Sequence, residues 1–128
     1  MRDQFRRLSA LLIVIPAALF LLAGCNKYEP EENFTVKTND NKVTITGYKG
    51  NAAELNIPPR IGGKTVTEID TEAFLCCTSL TSVKISDGVT KIGNMAFSGG
   101  TGLRRVSVPK GADVACDAFP ENTNVERY

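Results

Sequence analysis

A mainly-β solenoid, a right-handed coil with a period of 22–23 residues closed at its N-terminal end by a β-hairpin, is the fold this sequence predicts. Three observations predict it. The frame apolar-x-x-apolar-x-apolar occurs at Leu80-Thr81-Ser82-Val83-Lys84-Ile85 and again at Leu103-Arg104-Arg105-Val106-Ser107-Val108. The dipeptide Ala-Phe recurs in phase with that frame, at Ala73-Phe74, Ala96-Phe97 and Ala118-Phe119. An alternating apolar/polar segment with a central turn stands just before the repeats.

The chain opens with Arg2, Arg6 and Arg7, followed by a nearly unbroken apolar run from Leu8 to Ala23, interrupted by Pro16. That run is short for a membrane span, which needs about 20 residues, and has the dimensions of a signal-peptide core. Leu22-Ala23-Gly24-Cys25 comes next. Small residues suit a peptidase that takes a slim, extended substrate, and the cysteine supplies a thiol for acylation. These four residues resemble the lipobox of bacterial lipoproteins. The resemblance implies that residues 1–24 are a lipoprotein signal peptide and that Cys25 carries the lipid. The alternative is an ordinary secretory signal with an incidental Cys25. Arg6-Arg7 fits twin-arginine export poorly. Buried methylenes contribute roughly 0.8 kcal/mol each, so a triacylated cysteine anchors a protein firmly to a membrane. Residues 25–33, with Glu29, Pro30, Glu31 and Glu32, read as a lipidated polar tether in solvent. Asn26 is not the Asp that tends to retain such proteins on the inner membrane of two-membrane bacteria. The outer membrane or cell surface is therefore favoured over a periplasm-facing inner membrane.

Residues 34–50 form the hairpin cap. Phe34, Val36 and Thr38 alternate with polar residues, Asn39-Asp40-Asn41 turns the chain, and Val43 and Ile45 alternate on the return. A lone hairpin is marginal in water, so this one must sit on the repeats. Residues 51–128 hold those repeats. Ala52-Ala53-Glu54-Leu55-Asn56-Ile57 fits the strand frame, and Val125-Glu126-Arg127-Tyr128 begins it once more. Ile69, Ile92 and Val114 stand at matched distances before each Ala-Phe pair. Pro58 and Pro109 follow the last apolar residue of a strand, where a missing N–H ends pairing cheaply. Each turn is expected to be one short strand plus a return loop, with Phe filling the convex side and stacked turns sharing one core. An independent β-sandwich is the competing fold, but it does not explain why Ala-Phe keeps phase with the strands.

The period lies in the leucine-rich-repeat range. Thr67-Glu68-Ile69-Asp70-Thr71-Glu72-Ala73-Phe74, followed by Cys77-Thr78-Ser79-Leu80-Thr81-Ser82-Val83-Lys84-Ile85, is similar to the Treponema-type, BspA-like leucine-rich repeats. The lead-in Ile57 to Val66 resembles the longer first turn of such domains. The resemblance covers roughly Val43 to Tyr128. It implies a bacterial surface protein, in a family where several members are adhesins toward host matrix proteins or other cells, and it carries no catalytic residues. Relatives usually have many repeats, whereas two full turns are legible here, flanked by an irregular turn and a short C-terminal stub.

Composition narrows the chemistry. With 15 Lys and Arg against 14 Asp and Glu, the balance argues against nucleic acid, whose binding rests on phosphate neutralisation. The chain has no His, which removes the commonest general base and metal ligand. Cys76, Cys77 and Cys116 have no activating base and no zinc-type spacing. Cys77 reads as a small inward-facing residue at a tight turn, and a disulfide from Cys76 or Cys77 to Cys116 would have to cross non-adjacent turns. Asp70, Glu72, Asp113 and Asp117 read as turn caps rather than paired catalytic carboxylates. The expectation is no enzyme, no cofactor and no metal.

The second, third and fifth frame positions point away from the core, and this exposed concave face is the expected binding surface. Its rows are Glu54, Ser82, Arg105 and Arg127; Asn56, Lys84 and Ser107; and Ala53, Thr81, Arg104 and Glu126. Arg104, Arg105 and Arg127 would form a small positive patch, with no aromatic anchor beside it. Two functions follow: a lipid-anchored recognition or adhesion module for a host-matrix or envelope protein, or a periplasm-facing assembly protein that self-associates through its C-terminal edge.

Overall fold

The computed structural model describes residues 28–128. The expected signal peptide and the lipidation site Cys25 lie outside the described residues. Ten strands run in chain order among the described residues: β1 (Phe34–Asn39), β2 (Lys42–Tyr48), β3 (Glu54–Asn56), β4 (Arg60–Ile61), β5 (Lys64–Ile69), β6 (Ser82–Lys84), β7 (Lys91–Ile92), β8 (Arg105–Val108), β9 (Asp113–Val114) and β10 (Asn124–Arg127). They form two sheets. The first has the order β1-β2-β5-β7-β9, with β4 folded back on β5, and the second has the order β10-β8-β6-β3. The chain passes alternately between them, through β2–β3, β5–β6, β7–β8 and β9–β10. This makes four turns of a mainly-β solenoid among the described residues.

The hairpin closes as its alternation predicts, with Asn39 paired to Lys42 across a tight turn in which Asp40 adopts φ 54°. It does more than cap. Strand β2 pairs in parallel with β5, so Val43 faces Val66 and Ile45 faces Ile69. The ladder continues from Ile69 to Ile92 and on to Val114. The hairpin is thus the first rung of a sheet. This differs from the expected simple return loop, because two-residue strands such as β7 and β9 are too short to show alternation in sequence. The longer first turn holds a second, smaller hairpin, β4 to β5, reversed at Gly62-Gly63 with φ of 61° and 80°. Both positions lie in the left-handed region that glycine enters without penalty.

The repeating Ala-Phe pair has a structural cause. Phe74 N–H donates to the Ala96 carbonyl (2.7 Å) and Phe97 N–H to the Ala118 carbonyl (2.8 Å), so the pair itself forms the rung between turns. The alanines are buried because a larger side chain would hold the backbones apart. The rings then stack into a column. Phe74 lies 4.6 Å from Phe97 at 8° between planes, and Phe97 lies 5.2 Å from Phe119. Tyr48 and Phe34 of the hairpin complete the column on the other side, with the Tyr48 ring 5.3 Å from Phe74 and 5.4 Å from Phe34. Glycine is required where turns touch: a Cβ on Gly93 would stand 2.8 Å from the Thr71 nitrogen.

Two expectations are corrected by this packing. Residues 25–33 were expected as a tether in solvent, but from Tyr28 onward the segment is folded onto the solenoid. Glu29 N–H bonds the Asn56 carbonyl at 3.1 Å, the Glu31 carboxylate accepts from Gly62 N–H at 2.7 Å, and residues Glu31–Asn33 form a 3-10 turn. Two of the three acidic side chains that looked solvated, Glu29 and Glu31, are hydrogen-bond acceptors. The C-terminal stub has a different register. Val125 pairs with Val106, not with the position of Leu103, and Asn124 lies beside Arg105. A single turn closed by Thr123 N–H to the Pro120 carbonyl replaces the two successive turns between Phe97 and Leu103, so the last return is shorter.

Two outcomes follow. Phe97 is 1% exposed in the middle of the column, so Phe97→Ala should cost roughly 3–5 kcal/mol of unfolding free energy in a denaturant titration. Gly93→Ala should cost about 1–3 kcal/mol by overpacking against Thr71, without removing any side-chain contact.

Candidate binding face

The second sheet leaves one side uncovered by the core, and its parallel register sets which side chains share a row. Glu54, Ser82, Arg105 and Asn124 are neighbours across the four strands. Asn56, Lys84, Ser107 and Glu126 form the next row. Glu54, Asn56, Ser82, Lys84, Arg105 and Ser107 therefore come together as the repeat frame predicts. Inward, Leu55, Val83 and Val106 are buried, and Val125 stays 40% exposed at the last strand.

Arg104 and Arg127 do not join them. The Arg104 guanidinium folds back onto its own loop, donating to the Thr101 carbonyl at 3.1 Å and the Leu103 carbonyl at 3.5 Å. Arg127 pairs in register with Val108 and donates to the carbonyls of Pro109, Lys110 and Ala112, the last at 2.9 Å. It ties the last strand to the loop after β8. The expected three-arginine patch is therefore dispersed, because the shortened last return shifts Arg127 out of the Arg105 row and the cations satisfy backbone carbonyls instead.

In place of that patch the structure places aromatic side chains where none was expected. A cleft of about 380 Å³ at the end of the sheet is lined by Tyr28, Asn56, Pro59, Lys84, Asp87 and Tyr128 among others. Tyr28 and Tyr128 are 39% and 46% exposed, the kind of amphipathic rings that anchor interfaces. The Tyr128 hydroxyl reaches across β8 to donate to the Ile85 carbonyl, and the Lys84 ammonium lies 5.3 Å from its ring centroid. Burial, then the nearby Asp87 and Tyr28, raise the Tyr128 phenol above its usual value. Sequence reasoning missed both tyrosines: Tyr28 fell in the supposed tether and Tyr128 in the misaligned stub.

Tyr28 is held there by a clamp one residue away. The Glu29 carboxylate accepts from the Tyr48 hydroxyl at 2.8 Å and from the Asn33 amide at 2.7 Å. Burial pushes the Tyr48 phenol up to about 12, and the Glu29 carboxylate adds to the shift, while the Ala52 N–H opposes it. The cysteines stand apart from this face. All three described thiols are free; Cys76 and Cys116 are exposed, and Cys77 is half-buried against the core, where burial pushes its thiol pKa up. Asp70 and Asp117 act as turn acceptors, Asp70 for Thr71 N–H and Asp117 for Met95 N–H and the Asn94 amide.

Comparison with known proteins places this architecture. Residues 48–127 match the model of the BspA type leucine rich repeat region in six copies. A leucine-rich-repeat protein of T. pallidum aligns at TM-score 0.60 and 25% identity, covering 79% of this chain and 64% of that one. A leucine-rich cell surface protein of Faecalibacterium prausnitzii aligns at TM-score 0.55 and 32% identity, covering 77% of this chain and 26% of that one. The chain thus spans less than two thirds of either structure. The curated proteins give no match.

The clamp makes a pH prediction. Tyr48 binds its proton more tightly folded than unfolded, so its stabilising contribution is complete below about pH 10 and is lost as pH rises through about 12. In a phenolate absorbance titration Tyr48 should ionise near pH 12, and Glu29→Gln should move that step toward 10.

Proposed function

The chain belongs to the BspA-type leucine-rich-repeat family, and from that premise we propose that it is a lipid-anchored envelope protein that recognises a protein partner. The uncovered side of the second sheet would be the recognition surface, and the lipid on Cys25 the anchor. One observation carries the reading. The rows Glu54-Ser82-Arg105 and Asn56-Lys84-Ser107 form a rigid polar surface that ends in a cleft rimmed by Tyr28 and Tyr128. Polar rows of fixed register set specificity, and the two half-exposed rings mark the end of the surface where an apolar contact is available. The lipobox resemblance at Leu22-Ala23-Gly24-Cys25 supports the anchor, and the F. prausnitzii relative, named as a cell surface protein, supports display at the surface.

A second reading is an assembly protein facing the periplasm. Strand β10 favours it, since it lies at the edge of its sheet with Val125 exposed, and unpaired edges invite pairing with another chain.

Protease treatment of intact cells beside lysed cells separates the two. Surface display predicts loss of the protein from intact cells, and Cys25→Ser should release it to the soluble fraction. Protection until lysis would instead support the periplasmic reading. Continued membrane association of Cys25→Ser would overturn the lipid anchor.

A further inference from the structure

The anchor and the recognition face are joined by very little chain. Cys25 precedes Tyr28 by three residues, a reach of at most about 10 Å even when fully extended. From Tyr28 the chain is already fastened. Glu29 N–H is bonded to Asn56, the Glu29 carboxylate to Tyr48 and Asn33, and the Glu31 carboxylate to Gly62 N–H. Asn33 in turn accepts from Lys49 N–H at 2.8 Å, tying the segment to the end of β2. A domain on a free nine-residue tether could orient in any direction; a domain fastened at Tyr28 cannot.

Resting on the proposed lipidation of Cys25, we propose that the Tyr28–Tyr128 cleft lies against the membrane and contacts zwitterionic lipid headgroups. The side chains at the cleft suit that position. Tyrosine rings settle at the depth of headgroups, where one end is apolar and the other wet. Lys84 and Asp87 supply one charge of each sign at the cleft, complementary to the phosphate and the ammonium of a phosphatidylethanolamine headgroup. A strongly anionic surface would meet Asp87 and Glu31 unfavourably. The partner bound by the adjoining rows is then one that is itself at the membrane surface, because the face cannot be carried far from it.

The chain contains no Trp, so a single substitution gives a clean fluorescent reporter. Tyr28→Trp and Tyr128→Trp variants of the lipidated full chain would be placed in phosphatidylethanolamine-rich vesicles carrying a headgroup spin label. Both are expected to lose more than half of their emission. A sixteen-residue Gly-Ser insertion between Lys27 and Tyr28 should restore most of it, since such a linker spans roughly 20 Å or more. Vesicle-bound protein in which neither reporter is quenched would overturn the proposal while leaving the lipid anchor intact. A chain recovered from cells without lipid on Cys25, read by the mass of its N-terminal peptide, would overturn both. Equal quenching in vesicles of purely anionic lipid would overturn the headgroup assignment.

Discussion

No single turn of this chain can bury its own apolar side chains, and that constraint organises everything else. A strand of two to four residues presents at most two inward groups, and they reach low exposure only when another turn lies above and below in the same register. The ladders Ile45-Ile69-Ile92-Val114 and Leu55-Val83-Val106-Val125, and the ring column beside them, are the result. Stability in such a stack resides in neighbour contacts, so the ends matter more than in a globular domain. At the N-terminal end Phe34 and Tyr48 close the column and β1 covers β2. At the other end Phe119 remains half-buried and Val125 exposed, while Arg127 fastens the last strand through three carbonyls.

The same constraint shapes the candidate site. In-register stacking turns one face of the second sheet into a ruled surface whose rows are set by backbone pairing rather than by loop conformation. Both ends of the described chain then converge on the end of that surface: Tyr28 brought in by the Glu29 clamp, Tyr128 following the shifted last strand. The cleft between them is built from segments one hundred residues apart. A recognition surface of this kind is stiff, and its chemistry is varied by substitution along the rows without disturbing the core beneath.

Much of the fold was legible in the sequence because the repeat frame and the Ala-Phe pair both report the same inward face. Ser82–Lys84 pairs with Arg105–Ser107 at the offset of 23 that the frame requires, and six of the eight expected face residues share the surface. What was not legible has a common origin in short elements. Two-residue strands such as β7 and β9 carry no alternation, so the first sheet was invisible, and with it the role of β2 as a rung. The last return is shorter because Pro120 to Thr123 closes in one turn. Spacing from Phe119 therefore aligned Val125 with Leu103, when backbone pairing sets it beside Val106. Tyr28 was hidden for a different reason: acidic side chains that look solvated in sequence are the acceptors that dock the segment.

The central claim is that the hairpin and the repeats form one stack, with β2 as its first rung. Amide hydrogen exchange on the intact chain tests it most directly. Exchange protection at Val43 and Ile45 equal to that at Val66 and Ile69, falling only toward Asn124–Arg127, is the pattern a single stack predicts. Rapid exchange throughout the hairpin beside slow exchange in β5 and β7 would contradict it, and would make the hairpin an appendage to a core that ends at the first repeat.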